Sequence, residues 1–588
     1  MAFLDSVPIR ERAIVENSLE TIFFPQGTLI IEQGDQGNGC YIIDEGRVRI
    51  EFDTGETDTD IVLNYLEPGM VMGEFSLLDQ QPRSANAIAH TDVKVRWLST
   101  TQFQNLCEQH PRIGMTLLTA LCKNLIGIVR QTNRQLAEYM AVDTTFKSVD
   151  DMLNRATAAQ QEFASWPEDR VDALLKDLAQ TIADAAEELA EITVRVSGMG
   201  VIEHKVDKIR FACFNVFDVL ADQTASGLLC FRETEKITEI ASPMGVVFGV
   251  IPITNPVPTM IFKALICLKG RNSLIMSCHR KGLDVGNRAG EIMQAVLKRH
   301  GAPLSLIQWI RERTSRKLTN AFMRHKDVSF ILATGGPSIV KAAYSSGTPS
   351  IGVGAGNAPV LICKDADPDT VAEIVISSKS FDNGIICGSE NNLVVDAAVE
   401  KAFVTALENH GAAVLSPKEI NQLTQHIFDQ KTGRLSREVI GQTSQSIARK
   451  AGIQRSYLIR LIVVPLHKDL VLGQYGQEKL APILSLFTVN SEEQGIALCR
   501  RILNREGKGH TAIIHTHDRD LSQRFGLAMP ASRILVNCPG SQGCIGLGNG
   551  LIPSLTLGCG TLGGTSTTEN VNYKNVINIK RIAYALSL

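Results

Sequence analysis

Two patterns of apolar and polar residues follow one another along the chain and divide it into regions. From Phe23 to about Leu98, short apolar runs are separated by glycine-rich turns such as QGDQGNG, DEG and EPG. Runs of this length, bounded by such turns, are typical of antiparallel strands. This region therefore predicts a small β unit.

The pattern lengthens to a helical period after Ser99. Between Ile113 and Met140, apolar residues recur at a spacing close to three and four: Leu118, Leu121, Leu125, Ile128 and Leu136. Such a stripe suits the seam of a helical dimer, and it equally suits a helix that packs on its own domain. The pattern leaves both alternatives open.

The composition becomes rich in alanine and charge from Thr144, which predicts a domain boundary near 141–150. Ser165 is a candidate N-cap for the next amphipathic helix, whose apolar positions are Val171, Leu174, Leu175, Leu178 and Ile182. After Ser242, β-rich runs such as MGVVFGVIPI, VSFILAT and NNLVV alternate with longer helical stretches. This alternation is typical of parallel βαβ units, so it predicts an α/β architecture for the larger part of the chain.

The composition indicates an ordinary folded protein. Of 588 residues, 44% are hydrophobic and 21% charged, which disfavours extended disorder and small disulfide-rich folds. The 59 lysines and arginines nearly balance 62 aspartates and glutamates, and this net charge of −3 argues against a general affinity for nucleic acid. The 13 cysteines contain no CxxC pair, which fits reduced thiols better than a disulfide framework or a metal site.

We expect a cytoplasmic protein with no membrane partner. The first twenty residues carry charges and lack the apolar core of a signal peptide. The most apolar stretch, at 244–257, is interrupted by prolines and Asn255, so it does not predict a membrane-spanning helix.

One short loop gathers groups that suit a cyclic phosphate on a ribose. The string GEFSLL begins at Gly73 and leads through a polar turn to PRSA. Arg83 offers charge-assisted bonds to the phosphate, amides near Ser84 and Ala85 cap it, and Glu74 accepts from the 2′-hydroxyl. The alternative is a surface salt bridge between Glu74 and Arg83 at a turn.

Residues 1–140 resemble the cyclic nucleotide-binding domain of bacterial cAMP receptors and cyclic-nucleotide-regulated kinases. The resemblance rests on GEFSLL and PRSA, together with the glycines of GDQG and YIIDEG. It implies a site for cAMP or cGMP formed by Gly73, Glu74, Arg83, Ser84 and Ala85. Thr132 and Asn133 on the long helix are candidates for a contact to the base. No helix-turn-helix follows that helix, so DNA is not an expected partner.

A second candidate site is the loop FDNGIICGSE, which places Cys387 between a helical stretch and the strand at 392–395. A thiol in such a loop is accessible, and flanking amides suit an oxyanion. The alternative, for one cysteine of many, is a buried inert thiol. Two other features favour chemistry: Asn255 in PITNP offers an amide to an oxyanion, and the turns ATGGP and GVGAGN allow a dinucleotide to approach the backbone.

Residues 150–588 resemble the aldehyde dehydrogenase superfamily, in particular its CoA-acylating branch, which includes one half of bifunctional aldehyde-alcohol dehydrogenases. The resemblance is carried by the strings PITNPVPTMIFKAL, ATGGPSIVKAAYSSGTPSIGVGAGNAP, FDNGIICGSE, EKLAPIL and SLTLGCGTLGGTSTTENV. It implies Cys387 as the nucleophile and Asn255 as the oxyanion donor. It also implies an NAD site lined by Thr254, Gly335, Gly336, Gly352, Gly354 and Glu478.

The fold implied by the two resemblances is an α/β aldehyde dehydrogenase fold, with a Rossmann-like NAD domain and an α/β catalytic domain, preceded by a small β-roll with a long helix. The predicted parts are the cyclic nucleotide-binding β-roll at 1–112, a connecting or dimerisation helix and linker at 113–150, the NAD-binding domain at 151–355, the catalytic domain at 356–540, and a segment at 541–588 that completes the fold and oligomer contacts. After TTENV we expect a final helix and no iron-dependent alcohol dehydrogenase half. We expect a homodimer or a larger homo-oligomer.

One departure bears on the reaction. Hydrolytic members of the superfamily carry a glutamate that activates water where this chain has Val353. Without that base, a free thiol such as CoA can still release the acyl group from the cysteine. The resemblance therefore predicts oxidation of a short-chain aldehyde with NAD (or NADP) and CoA to acyl-CoA, regulated by a cyclic nucleotide. The alternatives are a hydrolytic aldehyde dehydrogenase and a nucleotide sensor with a silent dehydrogenase-like domain.

Overall fold

The structure is a computed structural model in which the chain forms two units, Met1–Asp143 and Thr144–Leu588. Each unit has hydrophobic cores of its own. The finer domain boundaries that the sequence suggests stay predictions. The residues that the structure describes are 7–52, 61–79, 81–141, 144–312 and 314–586.

The described residues of the first unit form two four-stranded antiparallel sheets, in the orders β1-β8-β3-β6 and β2-β7-β4-β5. This confirms the predicted β unit. The strands are β1 (Glu20–Phe24), β2 (Leu29–Ile31), β3 (Gly39–Glu45), β4 (Val48–Phe52), β5 (Ile61–Leu66), β6 (Val71–Met72), β7 (Asn86–Ala89) and β8 (Val93–Ser99). The helices are α1 (Ile9–Glu16), α2 (Glu74–Asp79), α3 (Thr100–Gln109) and α4 (Pro111–Ala141).

The long helix α4 uses two of its faces differently. Ile113, Leu117 and Leu121 are buried in a core of the first unit, against α3 and the strands. On another face, four apolar side chains are exposed: Met115, Cys122, Ile126 and Val129. The helix therefore packs on its own unit and still leaves an apolar face uncovered within the described residues.

The second unit begins with a layer of helices and continues with a parallel sheet. Its apolar helix positions from Val171 to Ile182 are buried, as the periodicity predicted. The elements are α5 (Thr144–Phe163), α6 (Glu168–Asp184), α7 (Ala186–Ser197), α8 (Ile202–Leu220), β9 (Gly227–Arg232), β10 (Ile237–Pro243), β11 (Val246–Ile251), α9 (Pro256–Lys269), β12 (Ser273–Cys278), α10 (Leu283–Arg299), β13 (Ile307–Trp309), α11 (Arg316–Arg324), β14 (Phe330–Ala333), α12 (Pro337–Tyr344) and β15 (Ser350–Gly352).

A second run of alternating strands and helices follows. Its elements are β16 (Ala358–Ile362), α13 (Pro368–Ser380), β17 (Glu390–Asp396), α14 (Ala397–Asn409), β18 (Ala412–Val414), α15 (Pro417–Ile427), α16 (Ser444–Lys450), β19 (Leu461–Pro465), β20 (Ile483–Val489), α17 (Glu492–Arg505), β21 (Gly509–His515), α18 (Arg519–Ala528), β22 (Ala531–Val536), α19 (Gly540–Gly543) and β23 (Ile577–Ala583).

These strands form two parallel sheets and one small antiparallel sheet. The five-stranded sheet has the order β13-β12-β11-β14-β15, and the seven-stranded sheet has the order β18-β19-β20-β17-β16-β21-β22. In the five-stranded sheet the strand order reverses between β11 and β14, which is where open parallel sheets bind ligands. The α/β architecture with Rossmann-like sheets is thus confirmed.

Two local expectations are wrong. The segment after TTENV ends in β23, which pairs antiparallel with β10, where a final helix was expected. Its sequence INIKRIA is rich in β-branched isoleucine, which favours a strand. Ser165 does not cap α6, because Pro167 occupies the N-cap position and the Ser165 hydroxyl donates to the Glu162 carbonyl.

No helix within the described ranges combines the length and the apolar character that crossing a membrane requires.

Candidate active site

The cysteine loop runs from α13 to β17 through a short 3₁₀ helix, Phe381–Gly384. Asp382 and Asn383 in this turn adopt left-handed backbone angles, with φ of 47° and 55°. Cys387 follows and is half-buried. A Cβ atom on Gly356 would lie 1.7 Å from the Cys387 carbonyl oxygen, so only glycine fits there. The structure thus brings the GVGAGN turn into direct contact with the cysteine loop.

A histidine lies beside the thiol. The His510 Nε2 atom is 3.2 Å from Cys387 Sγ, and its Nδ1 atom is 2.9 Å from the Thr511 hydroxyl. His510 is fully buried at the start of β21. The sequence patterns did not single out this residue. Its one signal is the short glycine-rich string GKGHT, in which both glycines have a positive φ.

Burial controls the protonation of both groups. It raises the pKa of the Cys387 thiol well above its ordinary value, with Cys544, Glu478 and Cys559 acting in the same direction, while Arg533 opposes the rise. Burial, with help from Arg533, also holds the pKa of His510 well below its ordinary value. His510 is therefore a neutral imidazole near pH 7.

Asn255 follows β11 and is connected to the cysteine loop through α8. Its Oδ1 atom accepts a hydrogen bond from Lys208 Nζ, which also binds Asp382 Oδ2. Lys205 Nζ lies 3.0 Å from the same Asp382 oxygen and 3.3 Å from the Thr254 carbonyl. Because Oδ1 is occupied and Nδ2 has no partner among the described residues, Nδ2 is the Asn255 atom left to donate.

The charges of this network support each other. Burial alone would raise the pKa of the Asp382 carboxyl, but Lys208 and Lys205 hold it below its ordinary value. Burial also lowers the pKa of Lys208 to about 8. Asp382 is shared by two buried lysines of α8, and this fixes the turn before Cys387 to that helix. One of the two lysines, Lys208, also binds Asn255. The sequence patterns did not identify any of these three residues.

Glu478 lies next to the GVGAGN turn. Its Oε1 atom accepts a hydrogen bond of 3.1 Å from the Gly356 amide. Burial, assisted by the nearby Glu506, raises the pKa of Glu478 to about 8. The structure thus places this carboxyl near Cys387, and its role toward NAD stays a prediction.

The crevice between β11 and β14 is the place in the five-stranded sheet where a dinucleotide would be expected to bind. Thr254 and the string TGG lie just beyond the ends of these two strands, and Gly336 is the N-cap of α12. A Cβ atom on Gly336 would meet nothing within 4 Å. The Thr334 hydroxyl is buried and has no hydrogen-bond partner among the described residues. An open approach to a helix N-terminus and an unsatisfied hydroxyl are what a bound dinucleotide would use.

Three of the glycines that the resemblance assigned to the NAD site have packing reasons. A Cβ atom on Gly335 would lie 2.6 Å from Ile339, and one on Gly352 would lie 2.5 Å from Val340. A Cβ atom on Gly354 would lie 3.1 Å from Cys559 Sγ. Close packing against neighbouring side chains therefore explains these glycines without a cofactor, and their contact with NAD stays a prediction.

In the candidate nucleotide site of the first unit, the two charged side chains are buried. Arg83 is buried, and its Nη1 and Nη2 atoms donate to the carbonyls of Gly73 and Gly39 over 2.6 Å and 2.7 Å. Glu74 is also buried, in the first turn of α2. The burial of both side chains argues against a salt bridge exposed at the surface, and the contacts of Arg83 and Glu74 with a nucleotide stay predictions.

The other residues predicted for this site are less buried than Arg83 and Glu74 or lie outside the described side chains. Ser84 is exposed and Ala85 is half-buried, so both face or approach solvent. The side chains of Thr132 and Asn133 lie outside the part of α4 that the structure describes. No cluster of three or more potential metal ligands occurs among the described residues.

Comparison with known proteins identifies both units. The cyclic nucleotide-binding domain profile matches residues 21–110, and the aldehyde dehydrogenase family profile matches residues 127–545. The chain is 40% identical over 458 residues to the bifunctional aldehyde-alcohol dehydrogenase AdhE of Escherichia coli K12, which covers 76% of this chain and 50% of that protein. The chain thus spans about half the length of this relative.

Two further comparisons extend over whole proteins. The acetylating succinate-semialdehyde dehydrogenase of Clostridium kluyveri is 34% identical over 441 residues, covering 74% of this chain and 96% of its own length. The crystal structure of an acetylating aldehyde dehydrogenase from Geobacillus thermoglucosidasius is 37% identical, with a TM-score of 0.73, covering 76% of this chain and 98% of that one. The chain therefore belongs to the aldehyde dehydrogenase family and carries a cyclic nucleotide-binding domain before it.

Proposed function

We propose that the protein is an NAD-dependent, CoA-acylating aldehyde dehydrogenase, with NADP as the alternative cofactor. The observation that carries the proposal is the contact between Cys387 Sγ and His510 Nε2 at the GVGAGN turn. Two of the similar proteins are named as acetylating enzymes, which supports the use of CoA. A screen of short aldehydes with NAD or NADP, with and without CoA, tests it directly.

In this mechanism, the Cys387 thiolate attacks the carbonyl carbon of the aldehyde, and Asn255 Nδ2 donates to the oxyanion that forms. NAD, when bound, supplies a hydride acceptor. Thr254, Thr334 and Gly336 are the residues that would hold it in the crevice described above. Cys387 then carries the acyl group as a thioester and is released when the CoA thiolate takes that group.

Val353 supports CoA as the acceptor. This half-buried apolar residue stands where hydrolytic relatives carry the water-activating glutamate. We expect the wild-type protein to form acyl-CoA, and to release free acid about 10²-fold more slowly when CoA is absent. Val353→Glu should raise acid formation, whereas the matched Val353→Leu should not. Product analysis by mass spectrometry measures both, and rapid acid formation by the wild type without CoA would contradict the acylating reaction.

We infer that cAMP or cGMP binds the first unit and regulates the enzyme. The support is the buried Arg83 and Glu74, with exposed Ser84 beside them. A ligand that favours one state of the protein by about 1–3 kcal/mol would change the affinity for NAD or CoA by about 5- to 150-fold. The sign of the effect is left to the measurement.

Arg83→Ala should weaken cyclic nucleotide binding by about 1.5–3 kcal/mol, because it removes a charged donor to the phosphate. Since Arg83 also holds two backbone carbonyls, Ser84→Ala provides a milder second variant. Arg47→Ala, at an exposed pair with Glu67, is the matched control. Isothermal titration calorimetry measures the affinities, and no binding by the wild type at millimolar nucleotide would overturn the proposed site.

We also propose a homo-oligomer. The small antiparallel sheet has the exposed edge strand β9, and four apolar side chains on or near this sheet are exposed: Leu228, Phe231, Ile582 and Tyr584. An open edge with apolar side chains favours pairing with another chain.

All thirteen cysteines are free thiols, which supports a reducing compartment such as the cytoplasm.

The exposed face of α4 gives this proposal a direct test. Met115, Cys122 and Val129 repeat every seven residues, as in the seam of a parallel two-helix dimer. Such a seam places the two copies of Cys122 side by side, so mild oxidation should join two chains by a disulfide. Cys122→Ser should prevent this product, while Cys230→Ser, which removes the other exposed thiol, should not. A monomer by light scattering, with no crosslink, would contradict the oligomer.

A further inference from the structure

The strongest unexplained feature of the second unit is a chain of polar contacts behind Cys387. Arg533 Nε donates to the Thr511 hydroxyl over 3.4 Å, that hydroxyl lies 2.9 Å from His510 Nδ1, and His510 Nε2 lies 3.2 Å from Cys387 Sγ. Thr511 and Arg533 are register partners on the neighbouring strands β21 and β22. All three residues behind the cysteine are buried.

The direction of these bonds follows from what each group can do. A guanidinium only donates, so Thr511 Oγ1 accepts from Arg533. The same hydroxyl also needs an acceptor for its own proton. Among the described residues, His510 Nδ1 is its only other partner. A buried hydroxyl proton without an acceptor is costly, so Thr511 donates to Nδ1. The single proton of the neutral imidazole is then on Nε2, which faces the cysteine.

We propose that Thr511 and Arg533 are positioning residues that fix the tautomer of His510, so that its Nε2–H donates a hydrogen bond to the Cys387 sulfur. His510 then stabilises the thiolate as a donor and does not act as the base that removes the thiol proton. The inference rests on the proposed function, because it takes Cys387 to be the nucleophile.

The charged groups around the thiol agree with this arrangement. Glu478, when ionised, disfavours a thiolate at Cys387, and Arg533 is the charged group that favours it. Arg533 forms no ion pair with a carboxylate among the described residues. Its other contacts include long bonds to Gly509, Thr568 and Asn570 and a side-chain hydrogen bond with the Cys559 thiol. Its charge is therefore not neutralised by an acidic partner.

The pH dependence of alkylation at Cys387 tests the inference without aldehyde, NAD or CoA. Iodoacetamide reacts with the thiolate, and mass spectrometry of the Cys387 peptide separates it from the other cysteines. His510→Met has no donor, so it should raise the midpoint of the curve of alkylation rate against pH by about one pH unit or more. Below that midpoint, Cys387 should then react at least about tenfold more slowly than in the wild type. His510→Gln retains a donor near the Nε2 position and should keep most of the wild-type rate.

The second pair of variants tests the relay, by which we mean the contacts that lead from Arg533 through Thr511 to His510. Thr511→Val should slow alkylation below the midpoint about two- to tenfold, and Thr511→Ser should restore it. Thr193→Val, which loses a buried hydroxyl bonded within α7, is the matched control and should leave the profile unchanged. In the wild-type protein, ¹⁵N NMR of labelled histidine should show the His510 proton on Nε2, which needs no relay variant to fold.

Two results would overturn the inference: a proton on Nδ1, or an equal loss in His510→Gln and His510→Met, as expected of a base. A Thr511→Val profile that coincides with the wild type would also overturn it, because Thr511 would then not position His510. If the shifts occur in a protein that oxidises no aldehyde, the proposed function fails and the positioning of His510 stands. If the enzyme is active and the shifts are missing, only the inference fails.

Discussion

Replacing Cys387 by alanine is expected to reduce aldehyde oxidation to below a few per cent of the wild-type rate, while NAD binding and thermal stability stay nearly unchanged. The reason is that the proposed mechanism takes hydride from a covalent intermediate formed on the Cys387 sulfur, which alanine cannot form. The side chain is only half-buried, so shortening it leaves a small cavity. Steady-state rates of NADH formation measure the loss, and fluorescence titration measures NAD binding.

Cys538→Ala is the matched control for this change, because Cys538 is also half-buried and lies in the same unit. It should retain most of the activity. Substantial turnover by Cys387→Ala would show that another thiol is the nucleophile, and Cys363 and Cys538 would then be the next candidates.

Asn255→Ala is expected to lower kcat by about 10²–10³, the usual effect of removing one oxyanion donor. The structure explains why this amide is in place: Lys208 holds Oδ1, which leaves Nδ2 to donate. The loss should fall on kcat more than on KM, because the oxyanion exists only after attack. Single-turnover kinetics with one aldehyde measure the step directly.

Asn287→Ala provides the control for this second change. Asn287 accepts from the Trp309 indole in the same unit, away from the cysteine loop, so its loss should cost little activity. A loss below about tenfold for Asn255→Ala would make Asn255 a structural residue whose main partner is Lys208.

The strands and helices of the two parallel sheets were predictable because their runs are strongly patterned. MGVVFGVIPI predicts a buried strand, and β11 is buried at every position. The isoleucines of INIKRIA favour a strand, but they did not reveal β23 on their own, because most of this segment is exposed and it is held as a strand by pairing with β10. Long-range pairing of this kind leaves little periodicity in the sequence.

The residues of the candidate site also divide into those that the sequence identified and those that only the structure revealed. Cys387, Asn255 and Glu478 lie in distinctive strings, and the structure places each of them in or beside the cysteine loop network. His510 lies in a strand with no recognisable motif. The lysines of α8, at 205 and 208, stand three residues apart and look like part of a solvated helix face. Only the tertiary contact with Asp382 shows that they are buried.

The pairing of β10 with β23 also affects how the protein is made. Glu239 and Arg581, which are bonded across this pair, are 342 residues apart in the chain. At about 5–20 residues per second, a ribosome needs roughly 20–70 s to synthesise the residues between them. Throughout that time the β9–β10 hairpin has no third strand, and an isolated hairpin is only marginally stable. This hairpin therefore lacks its partner strand until β23 has been synthesised, so the small sheet completes last although its first two strands are made early.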